Sequence, residues 1–301
     1  MEFHKHTELN RLQIPPSSIV YFQTPYLEIQ QYDRIKLFHS EAYFIPFSIN
    51  KNHAISLERS PFGSFQQLDQ SSSSFSSFAE KIAESLTADD IHQITVKHPS
   101  PIYSDFVDSS DLTMVGYDMQ YNDINQHIVL TDDWEDTIHT MQSRKLKALM
   151  NEGFEFKRIP SSDLPVVHQF LDVCRQTQGL QINISLEKLR QLHEQLPGTY
   201  ERFGVYRGDK LSAVCITVNV SNTIAYYYLA GTSPLFRSQS PMVLLIAGMV
   251  DHYRRCGYKY FDLGVSSFEG KPQETLRIFK QRMGALETSR PTFTKSLDNE
   301  R

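Results

Sequence analysis

The residues whose types can carry chemistry gather in the second half of the chain. Asp262 is the one acidic residue within a mostly apolar and aromatic stretch, 258–263. A carboxylate there can orient an amine or take its proton, or it can simply bond the backbone at a strand end. Tyr226, Tyr227 and Tyr228 are consecutive, so on a strand they point alternately to both faces. Tyr228 can act as an acid or touch substrate, although tyrosines in such runs commonly pack into a core with a wet hydroxyl. Arg144 and Lys145, followed by Lys147, load one helix with positive charge that can bind a phosphate or RNA, or form a solvated face. Cys174, Cys215 and Cys256 have neither metal-site nor disulfide-framework spacing and read as thiols in a reducing cytoplasm. His4 and His6 lack further ligand spacing, so no metal site is expected. No HExxH, Walker A, G-x-S-x-G or paired-cysteine motif appears.

The elements that must hold these residues are legible from periodicity and turn chemistry. The second half reads as a strand at 154–159, a helix from 162 with Leu164, Val167, Leu171 and Cys174 on one face, and a second helix at 186–196 capped by Ser185. Three strands follow, at 200–207, 210–220 and 223–230. A helix at 241–256 begins with Pro241 and stops at Gly257. A strand at 258–263, a helix at 272–283 stopped by Gly284, and a closing strand near 286–292 complete the order. The first half reads as strands at 35–39, 42–49 and 53–58, a serine-rich loop at 71–78, a helix from 75, and strands at 91–97, 112–120 and 124–130. One long helix is expected over 133–151.

The chain has 301 residues, 40% hydrophobic and 22% charged, which is a globular composition long enough for two domains. Its formal net charge of -5 gives no overall drive towards nucleic acid. The most apolar run, 242–250, is too short to cross a bilayer, and the polar N-terminus lacks the apolar core of a secretory signal. The expected division is a flexible arm at 1–17, an N-terminal lobe at 18–131, a connecting helix at 132–153 and a C-terminal lobe at 154–301. The expected compartment is the cytoplasm.

The β-α-α-β-β-β-α-β-α order of the second half is that of the GNAT N-acyltransferases. The sequence Phe261-Asp262-Leu263-Gly264 after a glycine-ended helix, followed by Phe279-Lys280 and Gly284, resembles the ending of FemAB-like acyltransferases, which carry two GNAT lobes in tandem. Phe22-Gln23-Thr24-Pro25, Pro61-Phe62-Gly63 and Pro101-Ile102-Tyr103 resemble their degenerate first lobe. The resemblance implies a mixed α/β fold of two GNAT-like lobes, each a twisted mixed sheet flanked by helices. It departs from the family at the pyrophosphate loop, which here reads Arg237-Ser238-Gln239-Ser240-Pro241-Met242, with Ser240 and Met242 in the glycine positions.

Transfer of an acyl group to nitrogen needs a neutral amine, a donor carbonyl held against it, and stabilisation of the developing oxyanion. The resemblance implies that the acyl group lies where the two central parallel strands splay, between 223–230 and 258–263. It implies Lys280, Asp262 and Tyr228 as catalytic candidates; Phe279, Pro61, Phe62, Gly63, Arg144 and Lys145 as substrate-binding candidates; and Arg237, Ser240 and Gly264 on the donor. Lys280 falls at the edge of its helix's apolar face, where a long stem can carry its ammonium to a cleft. No tightly bound cofactor is expected. The donor implied is acyl-CoA or aminoacyl-tRNA. The acceptor is a small-molecule or nucleotide-linked amine, with amino sugars and peptidoglycan precursors as its family precedents. A GNAT fold kept as a non-catalytic binding or scaffold protein is the alternative.

Overall fold

The computed structural model describes residues 14–69 and 74–298. His4, His6 and most of the expected N-terminal arm lie outside these residues, as do 71–73 of the serine tract. The described chain begins with a 3-10 turn at Val20–Phe22 and helix α1 (Thr24–Gln30), then strands β1 (Ile35–His39), β2 (Tyr43–Asn50), β3 (His53–Ser56) and β4 (Gln66–Gln67). Helix α2 (Phe75–Ala88), strand β5 (Gln93–Lys97), helix α3 (Ser109–Met114) and strand β6 (Asp118–Val129) follow. Helices α4 (Trp134–Thr137) and α5 (Thr140–Asn151) lead to β7 (Phe154–Arg158), α6 (Leu164–Gln176) and α7 (Leu186–Gln195). The strands β8 (Tyr200–Arg207), β9 (Lys210–Asn219) and β10 (Ile224–Thr232) precede α8 (Met242–Arg255) and β11 (Tyr260–Val265). A small hairpin, β12 (Ser267–Phe268) and β13 (Lys271–Pro272), then α9 (Glu274–Arg282) and β14 (Leu286–Ser296) close the described chain.

Two compact units result. Among the described residues the first comprises 14–125, Ser267–Pro272 and 288–298; the second comprises Gln126–Ser266 and Gln273–Glu287. The division therefore falls earlier than the expected 132–153 helix, and the expected 154–301 lobe gives up two segments. The reason for the larger of these is pairing: Thr292–Ser296 of β14 runs antiparallel to β5, a partner nearly two hundred residues earlier in the chain.

In the first unit, β1, β2 and β3 form an antiparallel meander, and β3 lies parallel to β5. Its core joins Phe38, Ile45, Phe47 and Phe65 to Ile82 and Leu86 of α2. In the second unit, β7 to β10 are antiparallel and β10 pairs parallel with β11. Buried Val243, Leu245, Met249, Val250 and Tyr253 of α8 pack on Phe203, Cys215, Ala225 and Phe261 from these strands.

Three sequence expectations change. The expected strand at 112–120 begins as helix: α3 takes 112–114 because Asp108 and Asp111 make a capping box, with the Asp111 Oδ2 accepting the Asp108 N–H, and only 118–120 are extended, as the start of β6. The 133–151 helix is broken at Ile138, which takes an extended conformation. The break lets Trp134 and Ile138 both reach the core, and the His139 ring restarts the helix by accepting from the Met141 N–H. Pro272 belongs to the β12–β13 hairpin, and α9 starts only after Gln273.

Candidate active site

Strand β10 pairs with β11 only over Ile224–Tyr226 against Tyr260–Asp262. On its other side its register against β9 shifts between Tyr227 and Leu229, so Tyr228 is the extra residue of a bulge. Bulges bend a strand and leave a residue unpaired in the ladder. The parallel pairing thus stops where the bulge begins, and β10 runs on to Thr232 without the β11 ladder.

Asp262 ends the paired stretch and is 2% exposed. Its Oδ1 accepts the Gly264 N–H at 2.8 Å, closing a turn in which Gly264 has φ of 70°. Lys280 is buried, not solvated: its Nζ donates to the carbonyls of Gly264 at 2.9 Å and Val265 at 2.8 Å. This corrects the expected cleft-edge ammonium. The edge of the α9 apolar face is covered by the end of β11, so the lysine stem lies under it. Phe279 beside it is partly buried against the core of the unit. Tyr226 faces the same turn, since a Cβ on Gly264 would lie 3.1 Å from the Tyr226 Oη.

Tyr228 is half-buried, and its ring meets Tyr200 edge-on at 6.4 Å between centroids. Burial, then the neighbouring Tyr226, pushes the Tyr228 hydroxyl up to about 12. Tyr227 instead donates to the Met242 Sδ at 3.1 Å, at the first residue of α8.

The start of α8 gathers several expected residues. Ser240 has φ of 58° and ψ of 50°, the left-handed conformation that a glycine would adopt there. Lys145 Nζ donates to Ser240 Oγ at 3.3 Å. Lys145 and Arg144 line a cavity of about 600 Å³ with His139, Thr140, Met141 and Ala148. Arg237 goes elsewhere, donating to Thr177 Oγ1 at 3.2 Å beyond the end of α6.

Pro61, Phe62 and Gly63 belong to the first unit. Phe62 is buried among Tyr21, Tyr103 and Phe106. Gly63 bridges to Lys97, and a Cβ there would sit 2.9 Å from the Ser56 carbonyl oxygen. These three residues hold a tight turn in that unit's core.

Two polar groups near Asp262 escaped the sequence reading. His127 is 5% exposed, its Nδ1 has no hydrogen-bond partner, and burial lowers its basicity against the opposing charge of Asp262. Gln126 accepts from Ser266 Oγ at 2.5 Å and donates to the Arg277 carbonyl at 3.1 Å. Both lie in a polar strand segment whose pattern looks solvent-exposed; a buried Gln-His pair gives no periodic signal.

Residues 140–271 match the acetyltransferase (GNAT) domain family. No curated protein sequence matches the chain. Among solved structures, FemX is similar at a TM-score of 0.66 with 10% identity, over 98% of this chain and 97% of that one. The C-terminal domain of a candidate lysylphosphatidylglycerol synthetase from Agrobacterium fabrum is similar at 0.66 with 13% identity, over 98% and 92%. A tandem GNAT protein from the clavulanic acid biosynthesis pathway is similar at 0.53 with 10% identity, over 100% and 99%. At such identities the likeness is one of fold. Residues 140–271 thus match a GNAT domain, within a chain that has the FemAB-like, tandem GNAT fold.

Proposed function

We propose that the second unit transfers an acyl or aminoacyl group from an activated ester or thioester to an amine. The observation that carries this reading is the end of the β10–β11 pairing at Tyr226 and Asp262, with the Tyr228 bulge at the same level. A donor carbonyl laid in that gap would lie beside the stretch of β10 that has left the β11 ladder, whose backbone amides can stabilise the oxyanion. The amine nitrogen attacks the carbonyl carbon, a C–N bond forms, and the C–S or C–O bond to the leaving group breaks. Tyr228, held protonated by burial, can give its proton to that leaving group, and the proton released by the attacking nitrogen returns, directly or through solvent, to the phenolate. Asp262 and Lys280 fix the Gly264 turn that forms one wall. Phosphates of the donor, acyl-CoA or aminoacyl-tRNA, would meet Lys145, Arg144 and the positive end of α8. An amino sugar or other nucleotide-linked amine is the acceptor class proposed.

A non-catalytic role has one observation in its favour: Asp262 and Lys280 already bond the backbone. The discriminating experiment is a thermal-shift panel with CoA thioesters and charged tRNA, followed by mass spectrometry of amine acceptors. A donor at 100 times its dissociation constant adds about 2.7 kcal/mol of stability. A donor that binds but yields no acylated amine with any acceptor leaves the binding role. No stabilisation by either donor class sinks the transferase reading.

A further inference from the structure

Helix α6 carries two apolar strips. One, Leu164, Val167, Leu171 and Cys174, is buried in the unit. The other, Val166, Phe170 and Val173, follows i, i+4, i+7 spacing and stays open: Val166 is 60% and Val173 49% exposed. This second strip, with Gln169, faces Ser233 and Pro234 across a groove of about 300 Å³. Leu235, next in that turn, is 80% exposed. The groove is concave and mostly apolar, the form of a small-ligand site.

Size and charge indicate which. An apolar cavity of about 150 Å³ takes one benzene, so this groove takes about ten to twelve carbon atoms. That is one medium-length chain and too little for the two long chains of a membrane lipid. Thr177 continues the open strip one turn on from Val173, and there the Arg237 guanidinium is anchored through Thr177 Oγ1. Among the described residues no carboxylate pairs with Arg237, which is exposed. The one carboxylate of α6, Asp172, accepts from Gln176 on a neighbouring strip. An apolar trough that ends at an uncompensated guanidinium suits an alkyl chain with an anionic head.

We propose that the groove between α6 and the Ser233–Pro234 turn binds a single alkyl chain of about ten carbons whose anionic head lies on Arg237. The site requires no transfer chemistry, so it stands apart from the acyltransferase reading. The test is calorimetric titration of the full chain with decanoate below its micelle concentration, beside hexanoate, decanol, inorganic phosphate and anionic diacyl-lipid vesicles. Decanoate should bind, and each methylene removed towards hexanoate should weaken it about fourfold. Decanol should bind several-fold less tightly than decanoate, and Arg237→Ala should erase that difference. Val173→Asp, at an exposed position that leaves folding intact, should weaken decanoate at least tenfold. The proposal is overturned if Val173→Asp binds decanoate as the native chain does, or if chain length has no effect. Binding of vesicles or inorganic phosphate without binding of decanoate overturns it equally.

Discussion

Asp262 and Lys280 hold the two backbone groups of one residue: the carboxylate of Asp262 accepts the Gly264 N–H, and the ammonium of Lys280 donates to the Gly264 carbonyl. Both side chains are buried. The geometry of this turn therefore depends on two side chains from different elements, β11 and α9. Lys280→Ala leaves the buried Gly264 carbonyl without this donor, at about 1–3 kcal/mol, and the half-buried Val265 carbonyl at less. The expected outcome is a lower melting temperature, measurable by calorimetry, together with weaker transfer at temperatures where the variant stays folded. Unchanged stability would show that the ammonium is not needed for the fold.

Gly264→Ala tests the same turn from the backbone. A non-glycine residue at positive φ costs about 1–2 kcal/mol, and the new Cβ would lie 3.1 Å from the Tyr226 Oη. The double variant with Tyr226→Phe should recover only the contact part. A double-mutant cycle by urea denaturation measures it, and additive effects would remove Tyr226 from contact with the turn.

What could be read from the sequence follows how local each signal is. The buried strip of α6 is visible because its spacing is a local property, and the stop of α8 because Gly257, with φ of 81°, is the residue type that favours a left-handed helix end. Asp262 drew notice as a charge within an apolar strand. The burial of Lys280 was not visible, because a helical wheel locates an edge but not what covers it. Nor was the pairing of Thr292–Ser296 with β5, since register across so long a separation has no local signature. The break at Ile138 falls among the weak helix formers Asp136, Thr137, His139 and Thr140, but a weak propensity does not by itself locate a break that core packing decides.

Ser240 occupies a glycine's conformation with a side chain attached. Ser240→Gly should stabilise the chain by about 0.5–1 kcal/mol, the relief of left-handed strain exceeding the added freedom of the unfolded state. The same change removes the Lys145 partner, and Lys145→Ala should weaken donor binding about tenfold with little effect on stability. Titration calorimetry with the donor and thermal melts of both variants check the two parts separately.

In the first unit, burial lowers His98 to about 4, and its Nδ1 lies 3.0 Å from Ser64 Oγ. The unfolded imidazole titrates near 6.5. The folded value is the lower one, so the stability from neutral His98 is fully present above about pH 6.5 and is lost as pH falls towards 4. The contribution is about 3 kcal/mol. Urea titrations between pH 4 and 7 should show a slope that His98→Gln flattens; an equal slope in both proteins would mean that His98 is not the group responsible.

Tyr228 makes the opposite alkaline prediction and ties stability to chemistry. Burial and Tyr226 push its hydroxyl up to about 12, so the phenol stays protonated throughout the neutral range. An ordinary tyrosine loses its proton near 10. The folded value is the higher one, so its stabilising contribution is complete below about pH 10 and is lost as pH rises towards 12. Tyr228→Phe should remove that alkaline loss while melting near the native temperature at pH 7. If the hydroxyl protonates the leaving group, the same variant loses about a hundredfold or more in turnover. Because the native phenol does not titrate below pH 10, the pH–rate profile from 7 to 10 should keep its shape and shift only in height. Turnover and denaturant stability measured on one preparation separate the roles. A variant that loses alkaline sensitivity yet keeps full turnover makes Tyr228 a packing residue, and the proton must then come from solvent.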